Sequence, residues 1–217
     1  SHKATPTRAL CQKLNPIIRG WANYHRVVVS TRTFQAMDRW MFVRACRWAR
    51  HRHPHKPFSW RKARYWGRLN QRRGDDWVFG DKQSGYYLLK FAWFLRRKHV
   101  MVKGTASPDD PGLREYWQGR LEVTATNLKA RQRRLAHAQN FRCTVCGEPL
   151  SKEEELQVHH LLPKGDPQRN EETHQQLVHR LCHQQLTTEQ LQRASQGIPT
   201  NTQAKRATLT GLTTVSA

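Results

Sequence analysis

Apolar residues recur every three or four positions at the start of the chain: Leu10, Leu14, Ile17 and Ile18, Trp21, Tyr24 and His25, then Val28. That spacing predicts an amphipathic helix from Thr7 to about Val28, with Pro16 as a point where it kinks or restarts. Ser30 and Thr31 offer a cap for a second helix, from Thr33 to about His53. Its Phe34, Met37, Met41, Ala45 and Trp48 share one side and Arg39, Arg47 and Arg50 another, and Pro54 and Pro57 end it. Ser59 is the predicted cap of a short third helix reaching Leu69. After the break at Gly74-Asp75-Asp76, Trp77–Phe79 and Tyr86–Leu89 read as two short strands. The composition of residues 104–112, GTASPDDPG, predicts a linker, and a basic, mainly helical connector follows from Leu113 to Gln139. Leu156 to His160 reads as a strand, and the Ser/Thr/Gln-rich tail from Ser195 is expected to be disordered.

Charge changes this picture from a list of elements into two modules. All of the net charge of +22 belongs to residues 1–140, whereas residues 141–217 carry 8 basic and 8 acidic side chains. The eight Trp all lie between Trp21 and Trp117, and three of the five Cys lie after residue 140. Self-repulsion on this scale is tolerated best beside a polyanion, which argues against an enzyme of small metabolites and for a nucleic-acid partner. No apolar run is long enough to span a membrane, and the first residues hold no apolar core of a secretory signal. The expected location is therefore intracellular, in a bacterial cytoplasm or an organelle, and an odd number of unevenly placed Cys favours a metal site over a disulfide scaffold.

The strongest chemical signal is Cys143-x-x-Cys146-Gly147 followed by His179-x-x-Cys182. Two tight pairs of N/S ligands can surround Zn²⁺ tetrahedrally. In Val158-His159-His160 adjacent strand residues face opposite ways, so one imidazole can bind a metal while the other faces a reaction. With His183 next to Cys182, these are parts for metal-assisted phosphodiester hydrolysis. A second reading stays open: His179 and His183, four apart on a helix, could share the catalytic metal and leave three Cys for zinc.

The order Cys-x-x-Cys, His-His, a Gly-containing loop, then His-x-x-Cys-His resembles the HNH (ββα-metal) endonuclease family over about residues 138–190. The resemblance implies zinc on Cys143, Cys146, His179 and Cys182, a catalytic Mg²⁺ or Mn²⁺ on His159 and His183, and His160 as general base. It also implies a two-stranded ribbon packed on a helix that begins near Leu177. One position departs: His174 stands where the family usually carries the Asn that orders the loop, and it is carried over as a catalytic candidate.

In the basic half, Arg outnumbers Lys, which suits bidentate phosphate contacts, and runs such as Arg61-Lys62-Ala63-Arg64-Tyr65-Trp66 and Arg96-Arg97-Lys98 mix cations with rings. Most of its Trp are expected to be core residues. The stretch Leu14-Asn15-Pro16-Ile17-Ile18-Arg19-Gly20-Trp21-Ala22-Asn23-Tyr24-His25 resembles the maturase-specific region, domain X or thumb, of group II intron-encoded proteins. Trp48, Arg52-His53-Pro54, Lys62 and Tyr65-Trp66 continue the likeness. In that family the region binds intron RNA and assists splicing, a basic DNA-binding segment and an HNH endonuclease follow, and cleavage exposes a 3′ end that primes reverse transcription. The likeness is thus to the C-terminal part of such a protein. The Asp-Asp pairs, Asp75-Asp76 and Asp109-Asp110, do not sit in a Tyr-x-Asp-Asp setting, so polymerisation is not assigned to this chain. A reverse transcriptase encoded upstream or separately is an expected partner.

The expected fold class is α+β: a mainly helical, thumb-like maturase domain plus a small zinc-containing ββα-metal domain. The expected boundaries are 1–103 for the RNA-binding domain, 104–137 for linker and DNA-binding connector, 138–194 for the nuclease and 195–217 for the tail. Candidate nucleic-acid contacts are Arg19, Trp21, Tyr24, Arg39, Arg47, Arg50, Arg61, Lys62, Arg64, Arg96, Arg97, Lys98, Arg131, Arg133 and Arg134. Structured intron RNA and a DNA target are the expected partners. Two competing functions are a non-catalytic splicing factor with a structural zinc knuckle and a stand-alone HNH nuclease.

Overall fold

The computed structural model describes residues 5–96, 102–107, 109–121, 128–150 and 154–197. The chain is of mixed helix and sheet and divides into two compact units, Ser1–Met101 and Val102–Ala217. The expected disordered tail lies, beyond residue 197, outside the described residues. Among these residues no helix is long and apolar enough to cross a membrane.

Unit 1 contains α1 (Thr7–His25), α2 (Thr31–Arg52) and α3 (Phe58–Tyr65), then an antiparallel sheet of β1 (Trp66–Gly67), β2 (Val78–Asp81) and β3 (Tyr86–Tyr87). α1 runs through Pro16, which sits on the exposed side and does not interrupt it. Its buried face is Leu10, Cys11, Asn15, Ile18, Arg19 and Ala22, rotated from the expected stripe, with Ile17, Tyr24 and Val28 exposed. The cause is Asn15: its amide donates to the Tyr87 carbonyl at 3.0 Å and accepts from the Leu89 N–H at 2.9 Å. A polar pair that seals the end of a sheet outweighs one more apolar contact.

α2 begins two residues earlier than expected, and Ser30 does not cap it through its hydroxyl, which reaches the Val28 carbonyl at 3.4 Å. Asp38, on this helix, receives the backbone N–H groups of Phe91 at 2.7 Å and Ala92 at 3.0 Å, fixing the single 3₁₀ turn after the sheet. α3 starts at Phe58 and ends at Tyr65, so Ser59 is not its cap and Trp66 belongs to a strand. At Gly80 a Cβ would lie 2.5 Å from the Tyr86 carbonyl oxygen and 2.6 Å from Leu69, so close strand packing requires glycine there. The aromatic core joins Trp48, Tyr65, Trp66 and Phe79, with Trp66 and Phe79 ring centroids 5.2 Å apart. The expectation for Trp is corrected: only Trp66 and Trp93 are buried, while Trp21, Trp40, Trp60 and Trp77 are each at least 37% exposed.

Unit 2 contains α4 (Arg114–Leu121), α5 (Ala130–Ala138), the ribbon β4 (Leu156–His160) and β5 (Gln175–His179), and α6 (Arg180–Ser195). The strand predicted at Leu156–His160 is β4. The helix expected near Leu177 begins at Arg180, because Leu177 and Val178 are fully buried in β5. β4 and β5 pair antiparallel, with Leu156 opposite His179 and His160 opposite Gln175. The core joins Leu135 and Ala136 of α5 to Cys143, Leu150, Leu177, Val178 and Cys182. Residues 130–138, grouped in the sequence with the connector, thus pack into this core. Gln139 fastens α5 to β5, accepting from the Leu177 N–H at 2.7 Å and donating to its carbonyl at 2.9 Å.

Candidate active site and metal centre

The knuckle forms because Gly147 adopts φ +74°, which lets its N–H return to the Cys143 carbonyl at 2.9 Å. Cys143 and Cys146 then face His179, the last residue of β5, and Cys182 in the first turn of α6. Ligand atoms of Cys143, Cys146, His179 and Cys182 all lie within 4.8 Å of one another. The Nδ1 of His179 lies 3.4 Å from the Cys146 sulfur, and its Nε2 lies 3.2 Å from the Pro149 carbonyl. A carbonyl can only accept, so Nε2 carries the proton and Nδ1 is turned to the sulfurs, as a ligating imidazole requires.

The charges agree with a cation site. Hydrogen bonds from Cys146 and Cys182 hold the Cys143 thiol far below its usual range, so a thiolate is the favoured form. Burial pushes the His179 imidazole down, but hydrogen bonds to Cys143 and Cys146 and the Glu154 carboxylate outweigh it and raise it to about 10. A dication at the centre of these sulfurs supplies the positive charge that this proton otherwise provides. Three Cys, of which Cys143 and Cys182 are buried and Cys146 half-buried, and the buried His179 thus fit a structural zinc site.

The second cluster is built from the other side of the ribbon. His159 is 3% exposed and its ring meets that of His183 edge-on, with centroids 5.1 Å apart. Burial, then the charges of His183, His160 and Arg169, lower the His159 imidazole to about 4. It is therefore neutral at pH 7, the form that binds a metal. The reading in which His179 and His183 share one metal is not the arrangement found: His179 joins the sulfurs and His183 joins His159.

His160, half-buried at the end of β4, is held from two directions. The Gln190 amide of α6 donates to its carbonyl at 3.0 Å, and Nη2 of Arg131, on α5, lies 3.5 Å from its Nε2. Arg131 is itself fixed by donation from Nε to the Gln175 side chain at 2.5 Å. A guanidinium can only donate, so Nε2 of His160 is the lone-pair nitrogen. Burial, then Arg169 and Arg131, keep this imidazole below its ordinary value. Arg134 pairs with Glu172 in the loop between the strands. His174 orders that loop through its backbone: its carbonyl accepts from the Leu161 N–H at 2.9 Å. Its imidazole lies 3.8 Å from Glu171. Arg131 was visible in the sequence only as one charge of a basic helix, and Gln175 and Gln190 carried no signal of their own.

In unit 1 most proposed nucleic-acid contacts are at the surface. Tyr24, Arg39, Arg47, Arg50, Arg64 and Arg96 are exposed, as is Trp21, while Arg61 and Lys62 are half-buried. Arg19 is the exception: at 6% exposure it belongs to the buried face of α1. Arg97 and Lys98 lie outside the described residues. Cations sit over exposed rings at three places: Arg44 on Trp40 at 4.9 Å, Lys56 on Trp60 at 5.6 Å and Lys62 on Trp77 at 3.9 Å. In unit 2, Arg133 and Arg134 are exposed on α5.

Comparison with known proteins gives two matches. Residues 1–66 match the family model of the group II intron maturase-specific domain, and residues 143–189 match that of the HNH endonuclease. No curated protein matches the chain.

Proposed function

From a chain that carries a group II intron maturase-specific segment ahead of an HNH endonuclease segment, we propose a maturase-type protein that grips intron RNA with unit 1 and nicks target DNA with unit 2. The observation that supports it most is the edge-on pair of His159 and His183, with ring centroids 5.1 Å apart, in the unit that also carries the Cys3His cluster. The cluster holds β5, α6 and the knuckle in register. His159 and His183 would hold a divalent cation, Mg²⁺ or Mn²⁺, which supplies charge stabilisation for the phosphate and the departing oxygen. His160 takes a proton from the attacking water at Nε2. The water oxygen bonds to phosphorus as the bond to the 3′ oxygen breaks, leaving a 3′ hydroxyl and a 5′ phosphate. Arg131 guards the lone pair of Nε2 until a DNA phosphate competes for the guanidinium and frees it. Exposed Arg133 on the same helix would meet the flanking backbone, and Arg134 would do so by exchanging Glu172 for a phosphate.

In unit 1, exposed rings with cations stacked on them offer base stacking and phosphate contact together. Splicing assistance and a reverse transcriptase partner follow from the same reading. Supercoiled plasmid incubated with the full chain and Mg²⁺ or Mn²⁺ should be nicked, and chelation should stop it. The His160→Ala chain should lose nicking while keeping its zinc. Equal nicking by that variant removes His160 as the base. Absence of nicking by the unaltered chain with any divalent ion favours the non-catalytic splicing factor.

A further inference from the structure

Unit 1 holds a cation-lined pocket of about 310 Å³ where the start of α1, the ends of α2 and α3 and the turn after β2 meet. Its wall brings together Arg8, Arg52, Arg64 and Lys82, with His53 and Tyr65 between them. One carboxylate, Asp81, shares the lining and accepts from the Gln83 N–H at 3.2 Å and the Ser84 hydroxyl at 2.7 Å. Two of the cations are held in place by main chain: Arg52 donates to the Thr5 carbonyl at 3.0 Å and Lys82 to that of Ala63 at 2.5 Å. His53 Nε2 and the Tyr65 hydroxyl are 2.7 Å apart. Burial, and after it the charges of Arg52, Arg64, Lys56 and Arg61, hold the His53 imidazole below its ordinary value.

A solvated basic face spreads its charges, because crowding them costs free energy. Here four cations come from four different elements into one concave space that holds one carboxylate, an excess of positive charge that a bound anion would offset. The volume is that of a small-ligand site, and fixed donors lose little freedom on binding. We propose that this pocket is a phosphate-binding subsite, seating one phosphate of an RNA strand between Arg52, Arg64 and Lys82 with His53 and Tyr65 as polar floor. The RNA identity of the ligand rests on the reading of unit 1 as RNA-binding. The anion site itself rests only on the pocket.

The test uses the full chain and two probes, inorganic pyrophosphate and a labelled structured group II intron RNA. Pyrophosphate at millimolar concentration should shift the ring resonances of His53 and Tyr65, and the Arg64→Gln/Lys82→Gln double variant should lose that shift. The same variant should bind the RNA about tenfold more weakly. Its salt dependence should flatten by about one released ion. The control is Lys13→Gln/Arg32→Gln, with the same change of charge at exposed positions outside the pocket. It should change affinity by less than about threefold. Equal loss by both double variants, or no loss by the pocket variant, overturns the subsite while leaving RNA binding intact. If pyrophosphate shifts His53 and the RNA does not bind, the anion site stands and the RNA reading fails. If pyrophosphate leaves His53 unmoved, the site is refuted whatever the RNA does. Arg64→Glu, a change at an exposed side chain, repeats every arm should the double variant disturb the fold.

Discussion

Removing zinc from the Cys143–Cys146–His179–Cys182 site should unfold unit 2 and leave unit 1 folded. Two of the seven residues in the central core of unit 2 are themselves proposed ligands, Cys143 and Cys182, each 1% exposed. The other five are Leu135, Ala136, Leu150, Leu177 and Val178, a small apolar set for a unit with two strands among its described residues. A structural zinc of this kind contributes on the order of 10 kcal/mol of folding free energy. A whole domain is commonly stable by only about 5–15 kcal/mol. Loss of the ion therefore removes most or all of the margin. The assay is hydrogen exchange read by peptide mass spectrometry on the full chain, before and after a strong chelator. Peptides covering α5, β5 and α6 should lose protection, while those covering α1, α2 and β2 keep theirs. Trp emission should change little, because all Trp except Trp117 lie in unit 1. Cys143→Ser should reproduce the chelated state. If β5 keeps its protection after the metal is gone, the cluster is a packing feature and the ligand assignment is wrong.

Other perturbations have equally definite outcomes. Gly80→Ala places a methyl 2.5 Å from the Tyr86 carbonyl and should destabilise unit 1 by about 1–3 kcal/mol, visible as a lower Tm; an unchanged Tm means the strands can separate freely. Asn15→Leu leaves the Tyr87 carbonyl and Leu89 N–H without their partner, and denaturant titration should show a loss of about 1–3 kcal/mol. His159, lowered from 6.5 to about 4, should titrate near pH 4 in NMR in the zinc-loaded chain. Because its folded value is depressed, the unfolded chain binds a proton first, so stability falls as pH drops from about 6.5 towards 4 and levels off below. A ring that titrates near 6.5 contradicts its burial beside His183.

The elements legible in the sequence were those with a long or rigid signal. α2 could be read because its apolar side repeats from Phe34 to Trp48, and β4 because His159 and His160 close a short run that starts at Leu156. The zinc set was legible because two x-x spacings are a chemical constraint that survives any packing. What could not be read depended on partners distant in sequence. The buried face of α1 is set by Asn15 meeting β3, some seventy residues on, which a one-dimensional stripe of apolar residues does not encode. β1 is two residues long and exists because Trp66 pairs with Phe79. Arg131 reaches His160 only because α5 packs on β5 and Gln175 holds the guanidinium. The helix expected to begin near Leu177 begins three residues later, at Arg180, because a run of buried residues fits a core strand as well as a helix and Leu177 and Val178 belong to β5.

The central claim is that gripping RNA and cutting DNA reside in different units. It is tested most directly by measuring RNA affinity and plasmid nicking on one preparation of the zinc-loaded His160→Ala chain. The expected result is loss of nicking with RNA affinity unchanged. A chain that loses RNA affinity together with nicking would contradict the division, since His160 would then serve the grip as well as the cut.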